Sequence, residues 1–549
     1  MGIEFAEHLV LLVVALPALV GLGLVGAGVV LGLFDLPDLP ESVWLAVGLV
    51  AGFVTFALML FGIVLGFDPE QLGLQFAASF VWSDTFGAKL LLGIDGIGLC
   101  FMLSTAGLVP LAMLSSRGED RESNRAWVLV CLTLETMLLG ALASANLISF
   151  IFFWAASLLP ILLWMGRWGG PGRARAASRI WAAESLGLVG LLFVAFVLHR
   201  TTLEQFGVSN LDLTPIPGEV GRTLLDVKIE ESEQWILFVV MTLSLAMRLP
   251  VVPLHYWLPA AQAAAPTGLS VLLATGFVQT AAIGLLRFAL PLFPDAAMAA
   301  GPALSILGIV ALVYASLIAL VQRELKRLVA YASVGYAGFA VFGISTFNVQ
   351  GLTGAVLQLL THGLATAALF MLIGFLAIRR GTTEVKAFGG LAKPMPVCAF
   401  FFGLMVLSLM GLPLLGGFVG DLFVLLGSLE TRRELSVIAL ISIVVAASYL
   451  LWVQRRLFLG PVKQPSNRGL IDLDRVERGI LLAMTIPIVA IGVYPNPVLR
   501  RIEPTVLEIL YQMERRSVSV EAEEVEGVEE VDRELVQVGA AEAGKGSGQ

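Results

Sequence analysis

The chain has 549 residues, of which 58% are hydrophobic and 14% charged, and its formal net charge is −8. Soluble domains hold about 45–50% apolar and about 25% charged residues, so this composition excludes an ordinary soluble enzyme and indicates a polytopic membrane protein. It also gives no support to a nucleic-acid partner, since the sequence has no basic face interleaved with aromatic residues.

Apolar runs of about the length that crosses a bilayer, roughly 20 residues, recur along the whole chain. We therefore predict an all-α fold with about fourteen transmembrane helices. The predicted spans are 9–33, 43–66, 93–114, 126–143, 146–166, 177–198, 235–258, 268–290, 300–321, 328–346, 352–378, 397–427, 435–454 and 478–498.

The loops between these spans differ in charge. When they are assigned alternately to the two faces, 20 of the 34 Lys and Arg residues fall on the face opposite the termini. Because cytoplasmic loops are enriched in Lys and Arg, we expect both termini to be extracytoplasmic. The longest connection, about 199–234, is acidic and too short for a separate enzymatic domain.

Two predicted helices contain an interruption. The seventh holds "RLPVVPLHYWLP" (248–259) and the twelfth holds "LSLMGLPLLGGFVGDLF" (407–423), each with Pro or Gly and an ionisable group. Broken helices in corresponding positions are typical of inverted repeats with a transport path at the midplane. The predicted repeats are helices 4–8 and helices 9–13.

This organisation divides the chain into five predicted segments. They are N-terminal transmembrane helices (1–114), a first antiporter-like repeat (115–295), a second antiporter-like repeat (296–456), a C-terminal transmembrane helix (457–510) and an acidic, disordered tail (511–549).

Ionisable side chains within membrane helices are candidates for function, because a charge in lipid is costly. The candidates for a proton path are Glu135, Arg248, His255, Lys326, His362 and Asp421, with Glu184 and Gln279 as auxiliary groups. A buried charge needs a partner, so we expect Glu135 to pair with Arg248.

Structural roles compete with function at several of these positions. Arg287 lies near a helix end and is expected to reach the interface with its long side chain. Glu184 is close enough to a cytoplasmic loop to be hydrated, Lys326 can be an interface anchor, and His362 can be a neutral buried histidine.

The three cysteines give no sign of a metal site or a disulfide. Cys100, Cys131 and Cys398 lie in apolar segments and show no C-x-x-C spacing. No haem, iron–sulfur or nucleotide motif is present in the sequence, so we expect no cofactor and no catalytic residue for redox chemistry in this chain.

Several motifs together resemble a known family, the antiporter-like membrane subunits of respiratory complex I (NADH:quinone oxidoreductase), and most closely the subunit M type. The resemblance covers roughly residues 85–495. The motifs are "LGIDGIGLCF" (92–101), "LETMLLGALASANLISFIFFW" (134–154), "RLPVVPLHYWLP" (248–259), "IGLLRF" (283–288), "RELKRLVAYASVGYAGF" (323–339), "THGLATAALFMLIG" (361–374), "GGLAKPMP" (389–396) and "GLPLLGGFVGDLFVLLGS" (411–428).

The resemblance implies a subunit of a bacterial-type inner membrane that conducts protons through a central polar axis. It implies antiporter-like neighbouring subunits and the lipid bilayer as partners, with NADH and quinone bound by other subunits. Subunits of cation/proton antiporters and of membrane-bound hydrogenases share many of the motifs, so these two assemblies stay open as alternatives.

The resemblance also maps site residues onto this chain. Glu135, His255, Lys326 and His362 match family positions, whereas Arg248 stands at the place of a lysine and Asp421 at the place of a glutamate. Other family residues are replaced, at Ala155 (glutamate), Ala260 and Gln262 ("WLPDAH"), Gln279 (lysine) and Tyr336 (histidine). Two explanations follow: a divergent pump that works with other groups, or a scaffold paralogue whose first half-channel is silenced.

Overall fold

A computed structural model describes residues 2–35, 37–83, 85–117, 124–214, 221–462 and 464–517. Its helices are α1 Gly2–Leu33, α2 Glu41–Gly66, α3 Gly96–Ser115, α4 Asn124–Ala143, α5 Leu147–Trp168, α6 Arg173–Phe206, α7a Glu231–Arg248, α7b Leu258–Ala264, α8 Thr267–Leu292, α9 Pro294–Leu320, α10 Leu325–Ile344, α11 Val349–Arg380, α12a Pro396–Leu409, α12b Gly416–Thr431, α13 Arg433–Phe458, α14 Arg475–Val493 and α15 496–517.

Twelve of the described helices are long and apolar enough to cross a membrane, so the chain is a multi-pass membrane protein. The other two predicted spans are the interrupted ones. Helix α7a carries two glutamates and an arginine in 18 residues, and the twelfth span is divided into helices of 14 and 16 residues. The total of fourteen spans and the inverted repeats stay predictions.

Helices α8 and α11 form the centre of the bundle, and the apolar stretch of each is fully buried. Helix α11 packs closely on α12b, because a Cβ atom at Gly354 would lie 2.4 Å from the backbone nitrogen of Val424. Only glycine permits this approach of two backbones. The central position of α11 matters for the site, because α11 packs on α8 and on both halves of the broken twelfth span.

The break in the seventh helix is present where the sequence predicts it. Helix α7a ends at Arg248, and prolines at 250 and 253 provide no N–H donor to continue the helix. The indole Nε1 of Trp257 donates to the carbonyl of Met247 over 2.6 Å. This bond satisfies a backbone acceptor that the end of the helix leaves open, as a buried polar group requires.

The break in the twelfth helix is also present, between α12a and α12b. Gly411 and Leu414 both have a positive φ, at 70° and 75°, which turns the chain out of the helical path. The Tyr336 hydroxyl of α10 donates to the Leu409 carbonyl at the end of α12a. A tyrosine from a neighbouring helix therefore fixes the edge of this break.

A two-stranded antiparallel hairpin departs from the predicted all-α fold. Its strands are β1 Gln75–Ser83 and β2 Ala88–Ile94. Helix α15 contacts the segment just before β1, where Glu508 Oε2 accepts from the Gly73 backbone nitrogen at 3.0 Å. The hairpin was not predicted because its strands lie between two strong helical runs. The predicted boundary at 510 falls inside α15, so residues 511–517 of the predicted tail are helical, and residues 518–549 lie outside the described residues.

A buried ion pair ties the hairpin end of the bundle together. Arg287 Nη2 lies 2.6 Å from Asp95 Oδ2, and its Nη1 donates to the carbonyls of Leu142 and Ser144 over 2.8 Å each. Asp95 also caps α3 by accepting from Gly98 at 2.6 Å. The expectation that Arg287 reaches the interface is wrong, because its side chain turns inward to a carboxylate.

We expect Asp95→Asn to lower the free energy of unfolding by about 3–5 kcal/mol, because it leaves the Arg287 charge buried without its counter-charge. Thermal unfolding of the purified full-length chain measures the change. Arg200→Gln is the matched control, since Arg200 belongs to an exposed ion pair with Glu204 and its loss should leave stability unchanged. Equal stability of the two variants would contradict the structural role of Asp95.

Candidate functional site

A buried guanidinium lies at the end of α7a, immediately before the break. Arg248 donates from Nη2 and Nε to Glu184 Oε2, over 2.6 and 2.9 Å. It also donates to Thr280 Oγ1 at 3.2 Å and to the Trp154 carbonyl at 3.0 Å. Four of its five N–H donors are therefore used, which leaves the cation held in one geometry.

Two aromatic rings enclose the same cation. The Arg248 Cζ atom lies 3.6 Å from the ring centroid of Trp154 and 4.0 Å from that of Phe277. Such cation–π contacts contribute about 2 kcal/mol when they are desolvated. Together with the Glu184 carboxylate, they offset the loss of hydration that burial of the guanidinium entails.

The predicted pair of Glu135 with Arg248 is wrong, and Glu184 is the partner. Glu184 is 1% exposed, so its expected hydration by the cytoplasmic loop is wrong as well. Helix α6 comes close to α7a at Gly187, where a Cβ would lie 2.8 Å from the Ser244 carbonyl. About one turn along each helix, this approach brings Glu184 to the guanidinium.

Polar groups on α8 extend the site toward the centre. Thr280 contacts Arg248, and its neighbour Gln279 accepts from the Ser104 hydroxyl at 3.1 Å. Helix α11 passes Gln279 at Gly363, where a Cβ would lie 3.6 Å from Gln279 Nε2. Gly363 follows His362 directly, so the α8 groups and the next cluster are adjacent.

The second cluster is built on α10 and α11. The rings of His362 and Tyr336 lie 4.4 Å apart between centroids, and His362 Nε2 is within 3.1 Å of Thr366 Oγ1 and 3.4 Å of Ser333 Oγ. The Tyr336 hydroxyl donates to the Leu409 carbonyl. This cluster therefore joins the central helix to the break in the twelfth span.

Asp421 lies on the other side of that break, in the first turns of α12b. Its side chain is 6% exposed. A Cβ atom at Gly411 would lie 2.7 Å from Asp421 Oδ2, so the carboxylate faces the irregular backbone of the break. Irregular backbone at membrane depth is tolerated where it is buried in protein or lines a hydrated cavity.

Lys326 and His255 contact residues outside these clusters. Lys326 Nζ donates to the Ala265 carbonyl at 2.6 Å and is 8% exposed, so it is not an exposed interface anchor. The His255 ring faces Tyr314 and Tyr331, at centroid distances of 5.3 and 6.3 Å. Tyr331 also borders a cavity of about 240 Å³ at this end of the bundle.

Several predicted site residues keep buried polar atoms without a hydrogen-bond partner, as do other residues of the bundle. Within the described part of the chain they include both carboxylate oxygens of Glu135, Glu184 Oε1, His255 Nδ1, Gln279 Nε2, His362 Nδ1 and Asp421 Oδ1. Buried polar groups in proteins are nearly always bonded to protein or to ordered water. These atoms are therefore the places where water can bind inside the bundle.

The sequence did not indicate several members of the site. Thr280, Ser104 and the ring of Phe277 are uncharged residues in apolar runs, and their contacts depend on tertiary packing. The one available signal was the excess of donors on Arg248, which requires several acceptors nearby.

Metal ligands do not cluster in the described residues. No group of three His, Cys, Asp or Glu side chains there lies close enough to hold a metal ion. The expectation that the chain carries no cofactor stays a prediction.

The same chain regions match known proteins. Residues 144–450, which include both clusters, match the family described as "NADH:quinone oxidoreductase/Mrp antiporter, TM". The chain belongs to this family. Relatives within the NADH:quinone oxidoreductase/Mrp antiporter family include NADH-quinone oxidoreductase subunit M of Rhodobacter capsulatus, 34% identical over 84% of this chain and 90% of the relative. NADH-ubiquinone oxidoreductase chain 4 of Arabidopsis thaliana is 31% identical over 82% and 88%.

Two solved structures have the same fold. A chain of respiratory complex I from Thermus thermophilus superposes with a TM-score of 0.79 at 28% identity, covering 92% of this chain and 99% of that chain. A chain of the Mrp complex from Dietzia sp. DQ12-45-1b gives 0.75 at 18% identity, with 91% and 99% covered, which is a likeness of fold. The predicted resemblance to antiporter-like complex I subunits is thereby confirmed.

We expect Glu184→Gln to destabilise the chain by about 3–5 kcal/mol, because it leaves the Arg248 cation buried without an anion. Replacing both partners, with Glu184→Leu and Arg248→Met, should recover most of this loss, since apolar residues of similar volume need no counter-charge. Thermal unfolding of the purified chain measures all three proteins.

Glu135→Gln is the matched control for the ion pair. Glu135 is also a buried glutamate, but it has no ion-pair partner among the described residues, so its change should be much smaller. If the double variant were as unstable as Glu184→Gln alone, coupling between Glu184 and Arg248 would not account for the loss.

Proposed function

We propose that this chain is a membrane subunit of a respiratory NADH:quinone oxidoreductase and conducts protons across the membrane. NADH oxidation and quinone reduction would take place in other subunits of the complex. The relatives named as subunit M and chain 4 of such oxidoreductases support the assignment to this complex. Antiporter-like neighbouring subunits are the expected partners, in a bacterial-type inner membrane with both termini extracytoplasmic.

The proposal rests on where the buried polar atoms without a protein hydrogen-bond partner lie. Glu184, Gln279, His362 and Asp421 follow one another across the bundle, and each keeps a buried polar atom without a protein partner in the described residues. Water bound at such atoms can connect carboxylates and an imidazole into a proton relay. Two broken helices border this row, as transport paths require.

Arg248 has a different task in this proposal. Arginine keeps its proton at any physiological pH, so it is a fixed cation and not a relay group. Its position between Glu184 and Thr280 lets it set the electrostatic potential at the start of the row. Protonation of Glu184 would leave the buried Arg248 cation without its counter-charge, so this pair keeps its charges and Glu184 contributes to the row through water held at its open Oε1.

The proposal predicts that Asp421→Asn and His362→Gln each slow proton translocation at least about tenfold, equivalent to ~1.4 kcal/mol in the barrier, since each removes a titrating group. Acidification of inverted membrane vesicles driven by NADH measures the rate. Glu434→Gln, an exposed acid at the start of α13, is the control and should pump normally. Normal pumping by both site variants would contradict the proposed path.

A scaffold paralogue with a silenced first half-channel is the second candidate. The observation in its favour is that Arg248 is held by four hydrogen bonds, two of them to the chain neighbours of Ala155 and Gln279, where the resemblance implies titratable groups. Membership of a cation/proton antiporter or a membrane-bound hydrogenase is a further alternative, which the subunit list of the purified complex decides.

The two candidates differ in their response to restored groups. In the divergent pump, the variant with Ala155→Glu, Gln279→Lys and Arg248→Lys should pump no more protons per electron than the parent, because Glu184 already supplies the carboxylate. In the silenced paralogue the ratio should rise. The proton-to-electron ratio of assembled complexes in proteoliposomes measures the difference.

A further inference from the structure

A large cavity opens at the end of α13, on the face that carries most of the cationic loops. Its volume is about 520 Å³, and its wall includes Lys386, Trp452, Arg455, Arg456 and Gln464. A water molecule accounts for only about 30 Å³ of liquid, so the cavity has room for a polyatomic ligand.

The walls of this cavity are held in place by the backbone. Leu391 and Ala392 donate to the carbonyls of Leu457 and Phe458 at 3.1 and 3.0 Å, which fixes the 388–392 segment along the end of α13. On the opposite wall, Gln464 Nε2 donates to the Lys386 carbonyl at 3.3 Å. The cavity is therefore a built feature between loops and not the gap beside a single exposed side chain.

The charge in the cavity is positive and mostly uncompensated. Lys386 has an acidic neighbour, Glu384, at 3.0 Å. Arg455 and Arg456 are exposed, and no acidic side chain of the described residues lies within ion-pair distance of either guanidinium. Two adjacent guanidinium groups with open donors match the oxygens of a phosphate.

The side of the cavity that faces the bilayer is apolar and aromatic. Trp452 is 43% exposed beside the two arginines, and Leu451 and Leu459 are exposed next to it. Indole rings prefer the level of lipid headgroups. Helix α12a contributes Phe400, 64% exposed, and lies against α13 through a contact from Gln454 to Ala399. The two arginines can bind a charged headgroup, and the exposed apolar side chains beside them can contact acyl chains, which together suit a phospholipid.

We propose that this cavity binds the phosphate headgroup of an anionic phospholipid, with Arg455 and Arg456 as its ligands and the acyl chains along α12a and α13. Basic pockets between transmembrane helices on the cytoplasmic side are suited to this ligand class. The site is distant in the fold from the polar row of the proposed proton path, so the two proposals stand or fall separately.

Binding of phosphatidylglycerol to the purified full-length chain, measured by native mass spectrometry, tests the proposal. Each cation near an anionic headgroup contributes about 1 kcal/mol. For the most tightly bound phosphatidylglycerol, the double variant Arg455→Gln with Arg456→Gln should therefore have a dissociation constant about thirtyfold higher. Arg455→Lys with Arg456→Lys keeps the charge and should retain most of the affinity. Phosphatidylcholine binding should be the same in all proteins.

Arg433→Gln is the matched control, because Arg433 is an exposed arginine at the opposite end of the same helix. An equal loss of affinity in this control would overturn the assignment to the cavity. Displacement of phosphatidylglycerol by millimolar inorganic phosphate would identify a site for free anions instead. An unchanged phospholipid count in assembled complexes carrying the double glutamine variant would show that a neighbouring subunit covers the cavity, and would also overturn the proposal.

Discussion

The geometry at the break in the seventh helix depends on the ion pair between Arg248 and Glu184. A guanidinium inside a membrane protein must keep its proton, so the fold has to provide an anion, dipoles and aromatic faces around it. Glu184, the Trp154 carbonyl and the Trp154 and Phe277 rings meet this need. The geometry depends on the close approach of α6 to α7a, and hence on small residues at their contact.

This fully satisfied cation contrasts with the groups that follow it. Gln279, His362 and Asp421 each retain an open buried atom, while Arg248 retains almost none. A path for protons needs groups that can gain and lose hydrogen bonds, whereas a fixed charge needs the opposite. In the proposed path, these two tasks are divided between neighbouring residues, so the chain can lack titratable groups at Ala155 and Gln279 and still offer a row of polar groups.

The sequence predicted the membrane class, the two breaks and several buried charged residues, because a proline or a charge in an apolar run is energetically costly and therefore conspicuous. It did not predict which charges meet. Glu135 was the expected partner of Arg248 because a buried charge needs a counter-charge, but the close approach of Gly187 to Ser244 brings Glu184 to it instead. The hairpin β1–β2 and the inward turn of Arg287 likewise depend on contacts with distant segments, such as α15 and Asp95.

The most direct measurement is a density map of the assembled complex at a resolution that shows ordered water. We expect water within hydrogen-bonding distance of Glu184 Oε1, Gln279 Nε2, His362 Nδ1 and Asp421 Oδ1, and a dry Arg248 guanidinium between Glu184 and Trp154. Water around Arg248, with a dry interior from Gln279 to Asp421, would contradict the division between a fixed cation and a hydrated relay.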